Sequence, residues 1–517
     1  MKVIFRVLLA ASLVTAATGC ESFLDINDNP NQATSVNADA LLANALTVTA
    51  ANYHGAATNY NSYSSFAVGQ LAKSGTVSGF SEERTYNYTN TYYQNLFNAT
   101  YDNLNDYNLI EQQAAAYPKQ AAIAKIMKVY NFLLLVDQYG DIPYTNALKG
   151  IADITPSYDK QEDIYKDFIV QLKAVIGDID AATEGETTVI TLPEDVVFKG
   201  NMTRWKQFAN SLRLRILLRE SEAVDVKAEM ALLEAEHDGF IDRDVQVQPG
   251  YAGNTGQQNP FYNRYGFAAG AVRTTSEYSF VVPTEYIVSQ YVDNNDPRIT
   301  QLYVKTKRDD KPAYVGADLG AANIPTFAAA NPTIPGRFLI GGTFLRGANA
   351  PTVLMLLAEH LFSKAEAEHR GLLSGGEAAA KVDFDNGIKA SFMHTFRPAT
   401  TAPATVASAT DATPGIPEYN QYIAANLANP LVNYDKAGGK ELEVILTQKY
   451  IAENIVASTE AWDDFRRTGL PKFKVSLQAA GPVPNRLFYP LAETNTNAAN
   501  LPTGVTQYTK LFWDVKD

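Results

Sequence analysis

Adjacent carboxylates, five histidines and a single cysteine are the residues of this chain that could carry a reaction. Acid–base cleavage of a glycosidic bond needs two carboxyl groups about 5–9.5 Å apart across a cleft. Glu82-Glu83, Asp309-Asp310 and Asp463-Asp464 supply acids side by side. Neighbours along a chain point apart, so these pairs read as solvated faces rather than as a catalytic couple. His54, His237 and His394 are scattered, and His360 and His369 fall on opposite faces of one helix at about 100° per residue. Glu366 and His369 share a face, but two ligands do not make a catalytic metal site. The chain has no Gly-x-Ser-x-Gly elbow, no phosphate-cradling Gly-x-x-x-x-Gly-Lys and no His-Glu-x-x-His. Asp25, Asn27 and Asp28 begin like a calcium loop but lack its later glycine and terminal glutamate, so they read as a turn. Asp293 to Asp296 before Pro297 reads as a helix end. No catalytic residue, metal or cofactor is expected, and a structural calcium ion has no supporting loop.

Binding chemistry is better represented. The chain has 29 Tyr and 24 Phe but only 3 Trp, and tyrosine joins an apolar face to a polar tip. Two stretches outside the expected helices combine aromatics with amides, arginine and carboxylates. Residues 80–88 contain Phe80, Tyr86 and Tyr88; residues 251–265 contain Tyr251, Asn254, Phe261, Tyr262, Arg264 and Tyr265. Such groups suit a pyranose, whose C–H faces stack on rings while its hydroxyls take amide, guanidinium and carboxylate partners. The competing reading is that these aromatics pack the insertions onto the scaffold or face a protein partner.

The elements that must position them are helices. Residues 119–139 place Ile123, Ile126, Met127, Tyr130 and Leu134 on one face, and Gly140 stops the helix. Residues 159–182 repeat the pattern with Ile164, Phe168, Leu172, Val175 and Ile179. Trp205, Phe208, Ala209, Leu212 and Ile216 recur at the same spacing as Leu354, Leu357, Ala358, Leu361 and Ala365, which predicts helices over 203–221 and 352–370. A first helix over 39–52 is expected to be capped by Asp39. The fold class is therefore mainly α: four helix pairs at about 119–182, 203–239, 352–396 and 440–467. Insertions at about 53–101, 245–349 and 398–430 interrupt them. A long irregular stretch within a compact domain is usually functional.

Residues 1–19 read as an export leader. Lys2 and Arg6 precede an uncharged run from Val7 to Ala17, which is too short to span a bilayer of about 30 Å. Small residues and then Cys20 follow, and Cys20 has no disulfide partner anywhere in the chain. The pattern resembles a bacterial lipobox, which predicts Cys20 acylated as the mature N-terminus and 20–517 forming one domain, the alternative being an ordinary signal peptide with a leftover cysteine. The only membrane contact expected is through that lipid. Net charge is −13 and mean hydropathy −0.18, which argues against nucleic acid as a partner.

Six stretches in order carry a resemblance: FLDINDNPN (23–31) after the lipobox, DQYGDIPYTNAL (137–148), WKQFANSLRLRILLR (205–219), NDPRI (295–299), EAWDDFRRTGLP (460–471) and RLFYPLAE (486–493). With these the chain resembles the SusD/RagB-type nutrient-binding outer-membrane lipoproteins of the Bacteroidetes. The resemblance implies four tetratricopeptide-like helix pairs with an irregular face. That face would bind an oligosaccharide, or in some branches a peptide, and close as a lid over a SusC-like TonB-dependent β-barrel at the cell exterior. A helical-repeat subunit without a small ligand and a surface glycoside hydrolase are the alternatives from other classes. Taken as physics, most of the motifs concern folding. Trp462 and Phe465 are expected in the core, Asp463 with Arg466 or Arg467 as local ion pairs, and Asn210 as a partner for a neighbouring turn.

Overall fold

Asn37 starts the first helix: its side chain accepts from the backbone N–H of Ala40 at 2.9 Å. Asp39, expected to be the cap, instead lies in the first turn of α1 (Ala38–Tyr53), where it accepts from Gln120 Nε2 at 2.7 Å. The computed structural model describes residues 37–73, 79, 81–185, 191–322, 324–325 and 331–516. The leader, Cys20, the turn at Asp25–Asp28 and Phe80 lie outside the described residues.

The architecture is mainly helical, as the apolar spacing requires. After α1 come α2 (Tyr60–Ala67), α3 (Asn95–Glu111), α4 (Pro118–Tyr139), α5 (Gln161–Ala182), α6 (Met202–Glu220) and α7 (Lys227–Glu234). Later in the chain are α8 (Pro260–Tyr265), α9 (Leu357–His369), α10 (Gly376–Phe396), α11 (Ile416–Ala425), α12 (Glu441–Glu453) and α13 (Ser458–Thr468). Consecutive helices pack on one another: α3 on α4, α4 on α5, α5 on α6, α9 on α10 and α12 on α13. Gly387 lets α10 approach α9 closely, because a Cβ there would sit 2.7 Å from the Phe362 ring. Three two-stranded antiparallel pairings are present among the described residues: 71–73 with 281–283, 245–247 with 352–355, and 306–308 with 311–313.

Two expectations change. Residues 352–355 form a strand, and α9 begins only at Leu357; the apolar run is claimed by its ladder with Val245–Val247. The polar stretch assigned to an insertion contains α2, every residue of which is buried. Its side chains are satisfied across an interface with α13: Asn61 Oδ1 accepts from the Thr459 N–H at 2.9 Å, and Ser65 Oγ lies 2.9 Å from Ser458 Oγ. A helix of Tyr, Asn and Ser can be buried when each polar group has such a partner.

The carboxylates of α13 also sit differently from the surface pairs expected. Asp463 and Asp464 are 1% and 8% exposed, and both are locked into an ionic layer. Arg219 of α6 contacts Asp137, Glu460 and Asp463 together. Arg215 bridges Glu359 and Glu460, Lys449 holds Asp464 at 2.7 Å, and Arg467 holds Glu366 through Nη2 at 2.7 Å. Trp462 is fully buried as expected, while Phe465 is half-buried against Phe473. Asn210 Nδ2 donates to the Gly239 carbonyl at 3.0 Å, the role its place in an apolar helix implies. In the NDPRI turn Asp296 is taken by Arg298, whose Nε donates to it at 3.0 Å. These motifs build the scaffold.

Candidate ligand-binding face

The loop after α1 makes room for α8. Gly55 has φ +113°, and a Cβ on it would stand 2.3 Å from the Phe261 backbone nitrogen, so only glycine fits. His54 stacks on Phe261 with centroids 4.4 Å apart and planes 7° from parallel. Asn259 caps α8 by accepting from the Tyr262 N–H at 2.9 Å, and its Nδ2 donates to the Ala350 carbonyl. Arg264 Nη1 donates to the Ala56 carbonyl at 2.7 Å, which fixes the stem of that side chain.

The rest of the Arg264 guanidinium takes part in a polar cluster. It lies 4.9 Å from the Tyr265 ring centroid and 4.0 Å from Glu277 Oε2. That distance is electrostatic contact but too long for a hydrogen bond, and Glu277 Oε2 has no hydrogen-bond partner. Tyr93, half-buried, donates from its hydroxyl to Ser62 Oγ at 2.8 Å. Burial pushes the Tyr93 phenol well up, and the neighbouring Arg264 partly opposes this. Tyr93 leads on to Tyr92 with centroids 4.8 Å apart, and Tyr92 donates to Glu83 Oε1 at 3.0 Å. Glu83 Oε2 has no partner, and burial raises that carboxyl to about 7. The two stretches singled out in the sequence thus meet, one through Glu83 and the other through Arg264.

Their aromatics divide by burial. Tyr86 is fully enclosed, its hydroxyl accepting from the Ser476 N–H at 3.3 Å. Tyr88 is stacked under Tyr92 at 4.5 Å. Phe261 and Tyr265 are 5% and 3% exposed, packed on each other and on Phe338. These four rings are used by the fold and shape the floor, whereas Tyr262 and Arg264 are half-buried and Asn254 is exposed. Tyr251 is 9% exposed at the other end of the segment and lines a separate groove. The members that sequence reading left out are Glu83, Tyr93, Ser62 and Glu277. Glu83 was set aside as a solvated acid, and nothing in the local pattern at Glu277 singles it out.

Phenol, guanidinium and two carboxyls with free oxygens can donate to and accept from sugar hydroxyls. Among the described residues no group of three or more His, Cys, Asp or Glu could hold a metal ion. None of their helices is long and apolar enough to cross a membrane.

Comparison with known proteins agrees with this architecture. Residues 30–490 match a family described as SusD-like, starch-binding and associating with the outer membrane. The chain belongs to this SusD-like family of non-catalytic, outer-membrane-associated binding proteins. A search of curated proteins gives no match. The fold is shared with a SusD homologue of Bacteroides fragilis at 22% identity and TM-score 0.72, over 93% of this chain and 100% of that one. It is shared with a chitin-binding protein at 24% identity and TM-score 0.72, over 92% and 100% of the two chains. A chitin-binding SusD homologue from Flavobacterium johnsoniae matches at 21% identity and TM-score 0.68, over 93% and 98%.

Proposed function

We propose that this chain is a surface lipoprotein, anchored through Cys20, that captures an oligosaccharide and acts as the lid of a SusC-like TonB-dependent importer. The observation that carries the reading is the convergence of Tyr93, Arg264, Glu277 and Glu83, in which both carboxyls keep an unpaired oxygen, with Tyr262 half-buried two residues before Arg264. Ligand contact is assigned to Arg264, Tyr262 and Asn254, with Phe80 on the adjoining stretch. Tyr86, Tyr88, Phe261 and Tyr265 support them from below. Two structural relatives named as chitin-binding make β-linked N-acetylglucosamine chains a reasonable first ligand.

The test is calorimetric titration of the mature protein with chitin-, starch- and plant-derived oligosaccharides and with peptide digests. Saturable glycan binding, weakened about tenfold or more in Arg264→Gln and Tyr262→Ala, is expected from the loss of one charged and one aromatic contact. Binding to peptides alone would replace the glycan with a peptide. Glycan binding unchanged in both variants would move the ligand elsewhere on the molecule. Co-purification with a large β-barrel tests the lid role separately.

A further inference from the structure

A second polar groove lies where the loop at 399–403 crosses the strand 245–247 and the start of α6. One compartment, of about 510 Å³, is lined by Arg204, Arg243, Gln246, Tyr251 and Asn349. A smaller one of about 250 Å³ is lined by Asp244, His394 and Arg397. Asp244 and residues 401–403 border both.

The charges here do not balance. Arg243 is spent on Asp242, with contacts of 2.7 and 2.9 Å. Asp244 accepts from Arg397 Nη1 at 3.0 Å, from His394 at 2.7 Å and from the Leu357 N–H at 3.0 Å. Burial holds His394 down at about 4, so it adds no charge at neutral pH. Arg204 lies 4.3 Å over the Phe198 ring and has no ion pair among the described residues. Arg346 reaches only the His394 carbonyl, and its Nε has no partner. Four guanidiniums, counting Arg346 behind the lining, thus face three carboxylates, Asp242, Asp244 and the Asp195 that acts on Arg204, in a chain whose net charge is −13.

The unused hydrogen-bonding atoms point the same way. Arg397 is 7% exposed, yet its Nη2 has no partner, and neither does Gln246 Nε2 in the same groove. All of these are donors. A surplus of buried donors and positive charge calls for an acceptor anion, a carboxylate, a sulfate ester or a phosphate ester, of which the first two are the common acidic groups of glycans. Tyr251 and Asn349 beside it suit the ring and hydroxyls of a sugar carrying that group.

We propose that this groove is a second subsite that binds the anionic group of an acidic glycan, through Arg204, Arg397 and Gln246. It is independent of the Arg264 cluster. The test is calorimetry of the mature protein with tetragalacturonate and with a chondroitin sulfate tetrasaccharide, at about 20 mM and about 300 mM salt. Chitotetraose is the neutral control, and a Glu-rich peptide and free sulfate are the competing anions. One acidic oligosaccharide should bind, and more weakly at the higher salt. Its affinity should fall about tenfold or more in Arg204→Gln and Arg397→Gln, as removal of a charged donor implies. The same binding should be unchanged in Lys166→Gln, which removes an exposed cation that lines neither compartment, so the loss is local to the groove and not an effect of net charge. Preference for uronate or for sulfate ester identifies the group. Arg204 is bound to no carboxylate and loses only its contact over the Phe198 ring, so Arg204→Gln should shift the melting temperature by about 1 °C at most even if Arg397→Gln shifts it further. The inference is overturned if no acidic oligosaccharide binds at low salt, if Arg204→Gln binds it as the parent does, or if only the peptide or free sulfate binds.

Discussion

Glu83→Gln should make the protein more stable at pH 8 and leave it unchanged near pH 4.5. Glu83 is 4% exposed; one oxygen accepts from Tyr92 and the other is unpaired. Burial raises its carboxyl from 4.5 to about 7, and the hydrogen bond from Tyr92 and the charge of Lys73 only partly oppose this. The folded state therefore holds the proton more tightly than the unfolded chain. The stability this group contributes is complete below pH 4.5 and is lost as pH rises through about 7. The difference between the two values corresponds to about 3 kcal/mol. Glutamine keeps an acceptor for Tyr92 and has no charge to bury, so the whole difference should appear as a gain in the variant above pH 7. At about 2.1 cal/mol/K per residue, a chain of 517 residues unfolds with an entropy of about 1 kcal/mol/K, so the gain is about 3 °C in Tm. Paired thermal melts of parent and variant from pH 5 to pH 8 make the measurement, and the other titrating groups cancel in the difference. A difference that stays flat across this range, or a variant that melts lower at pH 8, would refute the reasoning. The same proton matters for ligand: below pH 7 the free oxygen of Glu83 becomes a donor, and above it an acceptor.

Arg219→Met strands Asp137, Glu460 and Asp463 against one another; it should cost about 3–5 kcal/mol, read as a fall in the urea midpoint. Gly55→Ala puts a Cβ into the Phe261 backbone, so α8 must shift. It should lower stability by about 1–3 kcal/mol and weaken glycan binding together with it, checked by melting and titration of one preparation. Asn210→Ala leaves the Gly239 carbonyl without its side-chain donor and Arg213 Nη1 without the Asn210 acceptor. A loss of about 1–3 kcal/mol in chemical denaturation is expected, with ligand affinity unchanged.

What the sequence shows directly is whatever a short window contains. Trp205, Phe208, Leu212 and Ile216 are all buried at the spacing that marked them, and α4 and α5 run within a residue or two of the expected limits. What it hides depends on partners far along the chain. The Asn and Ser side chains of α2 read as surface because their partners, Ser458 and Thr459, lie nearly four hundred residues away. Asp463 and Asp464 look like a solvated pair with local arginine partners until Arg219 of α6 and Lys449 of α12 close around them. Residues 352–355 are apolar enough for either a helix or a strand, and only the ladder to 245–247 decides.

The candidate site follows the same rule. Composition located the two stretches, because Tyr, Asn and Arg concentrate there. It could not say which rings face outward: Phe261 is covered by His54, and Tyr86 is bound to the backbone of Ser476, neither of which is near in sequence. Aromatic residues in such stretches serve two purposes that look alike in one dimension, flooring the site and touching its occupant. Exposure separates the two among the rings, and unspent polar atoms do so among the other side chains. A ring whose hydroxyl is already donated inside the fold, as that of Tyr93 is to Ser62, can only accept from a ligand, whereas Glu83, Glu277, Gln246 and Arg397 each keep a buried atom with nothing to bond. Leaving a buried polar atom unpaired costs stability. At these four positions the unpaired atoms border the proposed subsites, whereas those of Glu359 and Glu453 belong to the buried ionic layer, so position in the fold decides which of them a ligand can complete.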